Sequence, residues 1–233
     1  MIVSINQPAY LPWLGYLHRI AISDLHIVLD HVQFEKNSFT NRNKVKTTKG
    51  FCWLTVPVKT KGRFGDVAIQ SLEIDNGTDW RAKHWRTICQ NYGKSPYFSE
   101  HAIFFEKLYE REWTHLASLC REITSYLLQR FMIATPLRFS SEMNPTQTKG
   151  DLVLELCRRI GATTYLSGIL GKDYLDEESF TSAGISVAYQ DFRHPEYPQS
   201  RGQKFESHLA AIDLLFNCGP KSREILLTGQ DRV

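Results

Sequence analysis

The sequence predicts an α/β fold: a mostly parallel sheet with helices on both faces, a β-α-β start, a β-hairpin excursion and a helical middle segment. Short β-branched stretches alternate with apolar stretches of helical period in the first and last thirds of the chain. The chain opens with a strand at 2–5, a helix at about 13–23 and a strand at 26–29. Strands that alternate with helices are typical of a parallel sheet whose two faces are both covered.

The remaining elements follow from the same periodicities and from their turn residues. Lys49 and Gly50 suit the turn of a hairpin, and glycines follow several of the predicted helices. Further strands are predicted at 45–47, 51–58, 67–74, 137–141, 163–166 and 185–192. Further helices are predicted at 80–92, 99–108, 113–131, 149–160 and 208–217. We expect a single domain over residues 1–233, with a helical subregion at about 80–132.

Composition limits the class of protein. With 233 residues, 42% of them hydrophobic, the chain can bury a substantial core. No segment approaches the roughly 20 apolar residues of a membrane span, and the amino terminus opens in a strand pattern without a charged leader. We therefore expect a cytoplasmic protein that makes no membrane contact; its oligomeric state stays open.

Cysteine, histidine and acidic residues show no ligand spacing. The five cysteines include no Cys-x-x-Cys pair, and an odd number fits reduced thiols that are mostly buried in the core. The acidic residues and histidines are scattered without a pattern such as His-x-x-x-His. We therefore expect no fixed metal.

The loop after the first strand is the most informative segment. Pro8 and Pro12 stiffen it, and Tyr10, Trp13 and Tyr16 supply aromatic rings. A stiff loop between a first strand and a helix amino terminus is where open α/β sheets bind ligands. The same rings also fit a simpler interpretation, in which aromatic bulk covers the edge of the sheet.

A basic segment follows. Eight lysines and arginines lie between residues 36 and 63, and no acidic residue lies among them. Asn41, Arg42 and Lys44 combine amide, guanidinium and ammonium donors, which are groups that bind phosphate. The outer Lys59, Lys61 and Arg63 are typical of a solvated hairpin.

Polar residues also follow the later predicted strands, in the segments 165–176 and 190–199. Because the carboxyl ends of parallel strands meet at one edge of a sheet, we expect these residues to share a cleft with the first loop. The predicted lining residues are Tyr10, Trp13, Tyr16, Ser167, Tyr174, His194 and Tyr197.

These residues form a series of motifs that runs nearly end to end along the chain. In order, they are Gln7-Pro8-x-Tyr10-Leu11-Pro12-Trp13-x-Gly15-Tyr16, Asp24, Asp30 with Val32-Gln33-Phe34, Asn41-Arg42-Asn43, Leu54-Thr55-Val56-Pro57, Tyr165-Leu166-Ser167-Gly168, Tyr174-Leu175, His194-Pro195-x-Tyr197-x-Gln199 and Asp213-Leu214-Leu215-Phe216-Asn217. The series resembles the WbqC-like family. One departure is Asn6, where the resemblance leads us to expect histidine.

The resemblance implies an intracellular bacterial enzyme of surface-polysaccharide synthesis, such as O-antigen or lipopolysaccharide, that acts on an activated sugar. A nucleotide-linked amino sugar would account for the basic segment through its diphosphate and for the aromatic loop through stacking. The implied reaction is acyl or aminoacyl transfer onto the sugar amine, with acyl-CoA or aminoacyl-tRNA as donor and no fixed cofactor. The predicted substrate-binding residues are Gln7, Tyr10, Trp13, Tyr16, Asn41, Arg42, Lys44, Ser167, Gly168, Tyr174, Tyr197 and Gln199.

Transfer to an amine needs a base and an oxyanion donor. His194 is the candidate base, although it also fits a structural role bridging loop backbone groups. Asp30 or Asp191 would orient it, and Asn41 and Ser167 would donate to the oxyanion. More loosely, the first loop is similar to that of the adenylyl-transferring nucleotidyltransferase and class I synthetase superfamily. Because residues 13–16 lack the histidines of that superfamily's His-x-Gly-His motif, only the ligand position is carried over.

Two other functions fit the same residues. A noncatalytic nucleotide-sugar binding protein would have the same cleft. An RNA- or tRNA-dependent protein would use segment 36–63, with Phe34, Phe39, Phe51 and Trp53 as stacking platforms. The nearly balanced charge of 28 basic and 25 acidic residues argues against general nucleic-acid binding.

Overall fold

A five-stranded parallel sheet organises the molecule. The computed structural model describes residues 1–60, 67–200, 202 and 204–228. The strands are β1 (Ile2–Asn6), β2 (Leu25–Val28), β5 (Leu137–Phe139), β6 (Thr164–Ser167) and β7 (Ser186–Tyr189). They lie in the order β5-β2-β1-β6-β7, and each neighbouring pair is parallel. The predicted fold class is confirmed.

Helices cover both faces of this sheet. Val3 and Ile5 of β1 share a buried cluster with a helix at Lys149–Arg159, whereas the opposite face packs on a helix at Leu14–Ala21 and on the middle helices. The α-helices are α1 (Leu14–Ala21), α2 (Trp80–Tyr92), α3 (Phe98–Glu110), α4 (Leu116–Arg130), α5 (Lys149–Arg159), α6 (Glu177–Ser182), α7 (Ile212–Cys218) and α8 (Ser222–Thr228). Among the described residues, no helix combines the length and apolar character that crossing a bilayer requires.

The predicted hairpin forms a separate two-stranded antiparallel sheet. Its strands are β3 (Arg42–Thr47) and β4 (Gly50–Thr55). Gly50 has a φ of 123°, a conformation that favours glycine and explains its place at the turn. Val45 and Leu54 point into the core, so the alternate positions of both strands form an outer face.

The prediction of a strand at residues 67–74 is wrong. This segment contains a 3-10 helix at Ile69–Ser71 between isolated bridges, and Ile69, Leu72 and Ile74 are buried. The 69/72 pair is spaced by three residues, which suits one side of a 3-10 turn better than the alternation of a strand. Several other bounds shift: α4 begins at Leu116 rather than at residue 113, and α7 begins at Ile212 rather than at residue 208. His208 has a φ of 57°, which is incompatible with a right-handed helix there.

Candidate functional site

The strand order creates a switch point at β1. The chain passes from β1 to β2 on one side, and β6 and β7 lie on the other side. In open α/β sheets, ligands bind at the carboxyl ends of the strands where the order reverses. Asn6 ends β1, Ser167 ends β6, and Gln190 directly follows β7, so these ends mark the candidate site.

Arg19, near the end of α1, lies over this switch point. Its Nη1 donates to Asn6 Oδ1 at 2.5 Å, and its Nε donates to Gln190 Oε1 at 2.9 Å. A Cβ on Gly168 would lie only 2.6 Å from Nη2 of the same guanidinium. The absence of a side chain at residue 168 therefore lets the arginine lie against the end of β6.

The Arg19 guanidinium is a half-buried charge held by neutral amides. Within the described ranges, no carboxylate forms an ion pair with it, and burial lowers its pKa. Removing a cation from water is costly unless an anion compensates. A phosphate or carboxylate of a ligand would supply that compensation through charge-assisted hydrogen bonds.

Gln190 connects Arg19 to His18. Its Nε2 donates to the carbonyl of Gly15 at 3.0 Å and to Nδ1 of His18 at 2.8 Å. Because an amide nitrogen only donates, His18 Nδ1 accepts and the proton of the neutral imidazole lies on Nε2. Burial lowers the pKa of His18 to about 4, so it is neutral near pH 7. Its Nε2–H is buried and has no partner among the described residues.

An aromatic cluster continues the site toward the β3–β4 hairpin. Phe192 lies 4.9 Å from the His18 ring and 5.6 Å from Trp13, centroid to centroid. Trp13 stacks on His208 at 5.4 Å, and His208 lies 5.2 Å from His194. We define this cluster as Trp13, Phe192, His194 and His208.

His194 is oriented by backbone rather than by a carboxylate. Its Nδ1 donates to the carbonyl of Pro195 at 2.9 Å, so Nε2 of the neutral ring carries a lone pair. Burial lowers the pKa of His194 to about 4, and nearby His208 and Lys44 act in the same direction. Nε2 is enclosed by neighbouring side chains and has no partner among the described residues. The imidazole is therefore neutral near pH 7 and could accept a proton at Nε2.

The two carboxylates predicted to orient His194 lie elsewhere. Asp30 accepts hydrogen bonds from Ser140 and from the backbone and hydroxyl of Ser141, and so joins the end of β2 to the segment after β5. Asp191 is exposed and lies 3.9 Å from Arg193. Neither carboxylate forms a hydrogen bond or ion pair with His194 in the described part of the chain.

The two tyrosines predicted in the first loop lie in the core, and Tyr16 belongs to α1. Tyr10 is fully buried, and its hydroxyl forms hydrogen bonds with His84 Nδ1 at 2.8 Å and with the Tyr109 hydroxyl at 2.6 Å. Tyr16 is 4% exposed and contacts the ring of His26. Both rings are therefore core side chains, whereas Trp13 joins the aromatic cluster.

Three of the predicted polar residues are engaged in structural contacts. Asn41 Nδ2 donates to the carbonyl of Val56 at 2.9 Å, and Gln7 Oε1 accepts from Thr40 at 3.3 Å. The Ser167 hydroxyl packs so closely on Gly171 that a Cβ there would lie 2.0 Å away. The Asn41 donor is therefore already engaged, whereas the buried Ser167 hydroxyl has no hydrogen-bond partner among the described residues.

The other predicted residues lie beside the cluster, at the surface or in a contact with α7. Tyr197 is buried 6.1 Å from the His194 ring, and Lys44 lies close enough to lower the pKa of His208, though less than burial does. Tyr174 is 56% exposed. Gln199 Nε2 donates to Asp213 at 2.8 Å. Arg42 lies on the outer face of the hairpin, where its guanidinium donates to Asn37.

The predicted site residues did not include several residues of this site. They are Arg19, His18 and His208, together with Gln190 and Phe192, which lie in the predicted segment 190–199 but were not chosen. A basic His-Arg pair one turn beyond the Trp-x-Gly motif, and a glutamine directly after a strand, were available as signals. Within the described ranges, no group of three histidine, cysteine or acidic side chains could hold a metal ion.

Replacing Gly15 by alanine is expected to destabilise the protein by about 1–3 kcal/mol, the usual cost of overpacking. The six-membered ring of Trp13 lies on Gly15, and a Cβ there would be 2.2 Å from Trp13 Cη2. Urea denaturation measures the effect. In a Trp13→Ala background the clash is gone, so the same substitution is expected to cost much less. An equal cost in both backgrounds would contradict this packing.

Comparison with known proteins places the chain in a family. The model of the WbqC-like protein family matches residues 7–225. The Mycobacterium tuberculosis protein named "Uncharacterized protein Rv1507c" is 36% identical over 226 residues, which cover 96% of each chain. No solved structure matches the chain. The motif series of the sequence, the family match and this relative agree: the chain belongs to the WbqC-like protein family.

Proposed function

We propose that the switch-point site around Arg19 binds the diphosphate of a nucleotide-linked amino sugar and that the protein transfers an acyl or aminoacyl group onto the sugar amine. The observation that carries the proposal is the half-buried Arg19 guanidinium, which has amide partners and no carboxylate among the described residues. Such a charge favours an anionic ligand. Gly168, directly after β6, has no side chain that would displace the guanidinium from this position.

Neighbouring groups support a sugar nucleotide as the substrate class. Lys44 provides a second cation at the other end of the aromatic cluster. Trp13 is partly exposed beside His208, so this aromatic pair can pack against a sugar or base. The resemblance to the WbqC-like family implies an activated sugar of surface-polysaccharide synthesis, which carries a diphosphate.

The proposed chemistry needs one proton acceptor. The amine nitrogen attacks the acyl carbonyl carbon, a C–N bond forms, and His194 Nε2 accepts the proton that the nitrogen loses. The tetrahedral intermediate then collapses, the bond to the donor's sulfur or oxygen breaks, and the leaving thiol or hydroxyl takes up that proton. Because side chains enclose Nε2, the amine reaches it only after one of them moves.

His18 is the proposed oxyanion donor. Gln190 fixes its tautomer, so a neutral imidazole presents Nε2–H near Phe192 without a partner among the described residues. A preorganised neutral donor can stabilise the developing oxyanion without giving up its proton. We prefer it to Asn41, whose Nδ2 already donates to Val56, and to Ser167, whose buried hydroxyl packs on Gly171.

Binding is tested by thermal shift with UDP-linked amino sugars, UDP and inorganic diphosphate. Wild type is expected to gain several degrees in Tm with a nucleotide sugar, because a ligand that binds the folded state stabilises it. Arg19→Gln is expected to lose the shift. Gln190→Glu is also expected to lose it, because the new carboxylate would pair with Arg19. Arg138→Gln, an exposed position on β5, is the control that keeps the shift.

An activity arm separates the transferase from a noncatalytic binding protein. Wild type and His194→Gln are incubated with the nucleotide sugar and with acyl-CoA or aminoacyl-tRNA, and acylated sugar is measured by mass spectrometry. A transferase is expected to form product with one donor and to lose most of its rate, but not its binding, in His194→Gln. Binding without product from either donor favours the noncatalytic alternative. If no shift occurs with any of the three ligands, the anion site is refuted.

A further inference from the structure

The outer face of the β3–β4 hairpin combines exposed aromatic rings with cations. Antiparallel pairing sets Lys44 opposite Trp53, and alternation brings Arg42 and Phe51 to the same side. Phe39 joins this face at the entry to β3. We define the hairpin platform as Phe39, Arg42, Lys44, Phe51 and Trp53.

The rings of the platform are unusually exposed for their size. Phe39, Phe51 and Trp53 retain 44%, 47% and 41% of their accessible surface. Their centroids are spaced 5.9 Å from Phe39 to Trp53 and 6.5 Å from Trp53 to Phe51. Contiguous exposed aromatic surface is unfavourable in water and marks interaction sites.

Cations lie between these rings. The Arg42 guanidinium lies 4.4 Å from the centroid of Trp53, and the Lys44 ammonium lies 4.9 Å from that of Phe51. Neither strand carries an acidic residue, and none occurs in the sequence between residues 36 and 63. The platform therefore favours a partner that is both planar and negatively charged.

We propose that the hairpin platform binds single-stranded RNA. Successive bases can stack on a row of rings and guanidinium planes while phosphates meet the cations. The three rings form a surface larger than one base, which favours a strand over a single nucleotide. In a duplex the bases are stacked on each other, so they cannot stack on these rings. Phe34, which sequence analysis grouped with these rings, is 8% exposed and lies in the core, so it takes no part.

This binding is separate from the acyl transfer proposed for the cleft and does not depend on it. Lys44 is the residue that the two surfaces share, since it also lies near His194 and His208. The variants that test the platform therefore exclude Lys44. Arg42 and Trp53 have no contact with Arg19 or with the aromatic cluster in the described structure.

Fluorescence anisotropy with a short fluorescein-labelled single-stranded RNA tests the proposal. Wild type is expected to bind this strand more tightly than the same strand annealed to its complement or an abasic strand of equal length. Trp53→Ala is expected to weaken binding by about fivefold to 150-fold, the range measured for loss of one stacked base. Trp53→Phe retains a ring and is expected to keep most of the affinity.

The salt dependence of RNA binding tests whether the cations of the platform contact phosphates. Arg42→Ala is expected to reduce the slope of log affinity against log salt by about 0.7, the value for one phosphate contact on a single strand. Ile103→Ala and Arg86→Ala, exposed on α3 and α2, are the matched controls that should behave like wild type. Equal affinities of wild type and folded Trp53→Ala, equal affinities for base-bearing and abasic strands, or no binding at low salt would each overturn the proposal.

Discussion

The free energy of unfolding is expected to fall steeply as the pH drops below about 6.5. Burial lowers the pKa of His26 to about 3 and those of His18, His84 and His194 to about 4. An unfolded histidine has a pKa near 6.5. Between these values the unfolded chain binds more protons than the folded chain, so the stability that is present above about pH 6.5 is lost as the pH falls.

His26 and His84 give the size of the effect, because both are at most 3% exposed. Each fully buried histidine contributes a slope of about 1.4 kcal/mol per pH unit in this window. At about pH 5 the two together are expected to cost about 4 kcal/mol relative to about pH 8, where the unfolded histidines are neutral. Typical domains have only about 5–15 kcal/mol of stability, so much of the total is lost.

Urea denaturation across this pH range measures the slope, and His26→Asn isolates one residue. Ser4 lies 2.7 Å from His26 Nδ1, and asparagine keeps an oxygen that can accept from its hydroxyl but does not titrate. The variant is expected to lose about 1.4 kcal/mol per pH unit of slope. Ser4→Ala removes the partner and keeps the imidazole, so it should retain the steep slope. Identical slopes for wild type and His26→Asn would contradict this origin of acid sensitivity.

The fold could be predicted because its signals are local. Alternation and helical period identify β1, α1 and β2, and the Lys49-Gly50 turn identifies the hairpin. The strand prediction at 67–74 is wrong because buried residues of this segment belong to a 3-10 turn. The apolar pattern of so short a segment does not distinguish a strand from a 3-10 turn. Local pattern thus predicts element type best where an element is long or repeats its period.

The candidate site was harder to predict because it depends on contacts across the chain. Arg19 is separated from Gln190 by 171 positions, and neither residue belongs to a recognised motif. Asn6 takes the place where the family resemblance leads us to expect histidine, and here its amide oxygen accepts from Arg19. Asp30 was predicted to orient His194, but its carboxylate accepts three hydrogen bonds from the segment after β5. Tertiary partners, not residue type, decide such roles.

Replacing Asp213 by alanine is expected to destabilise the protein by about 3–5 kcal/mol, the cost of breaking a buried charged network. Asp213 is fully buried in the first turn of α7, and its carboxylate accepts from Gln199 at 2.8 Å. The nearby hydroxyls of Tyr92 and Tyr197 favour the carboxylate, but burial outweighs them and raises its pKa. Its removal would leave the Gln199 amide without this acceptor.

Lys46 makes a double-mutant test possible. It is 1% exposed, its Nζ donates to the carbonyl of Lys204 at 2.5 Å, and its charge favours ionised Asp213. Urea denaturation of Asp213→Ala, Lys46→Met and the double variant measures the coupling. If Asp213 compensates the buried ammonium, the double variant should be less destabilised than the two single costs combined, by about 0.5–3 kcal/mol. Strict additivity would instead assign the cost of Asp213→Ala to the unpaired Gln199 donor and to the space left beside Tyr92 and Tyr197.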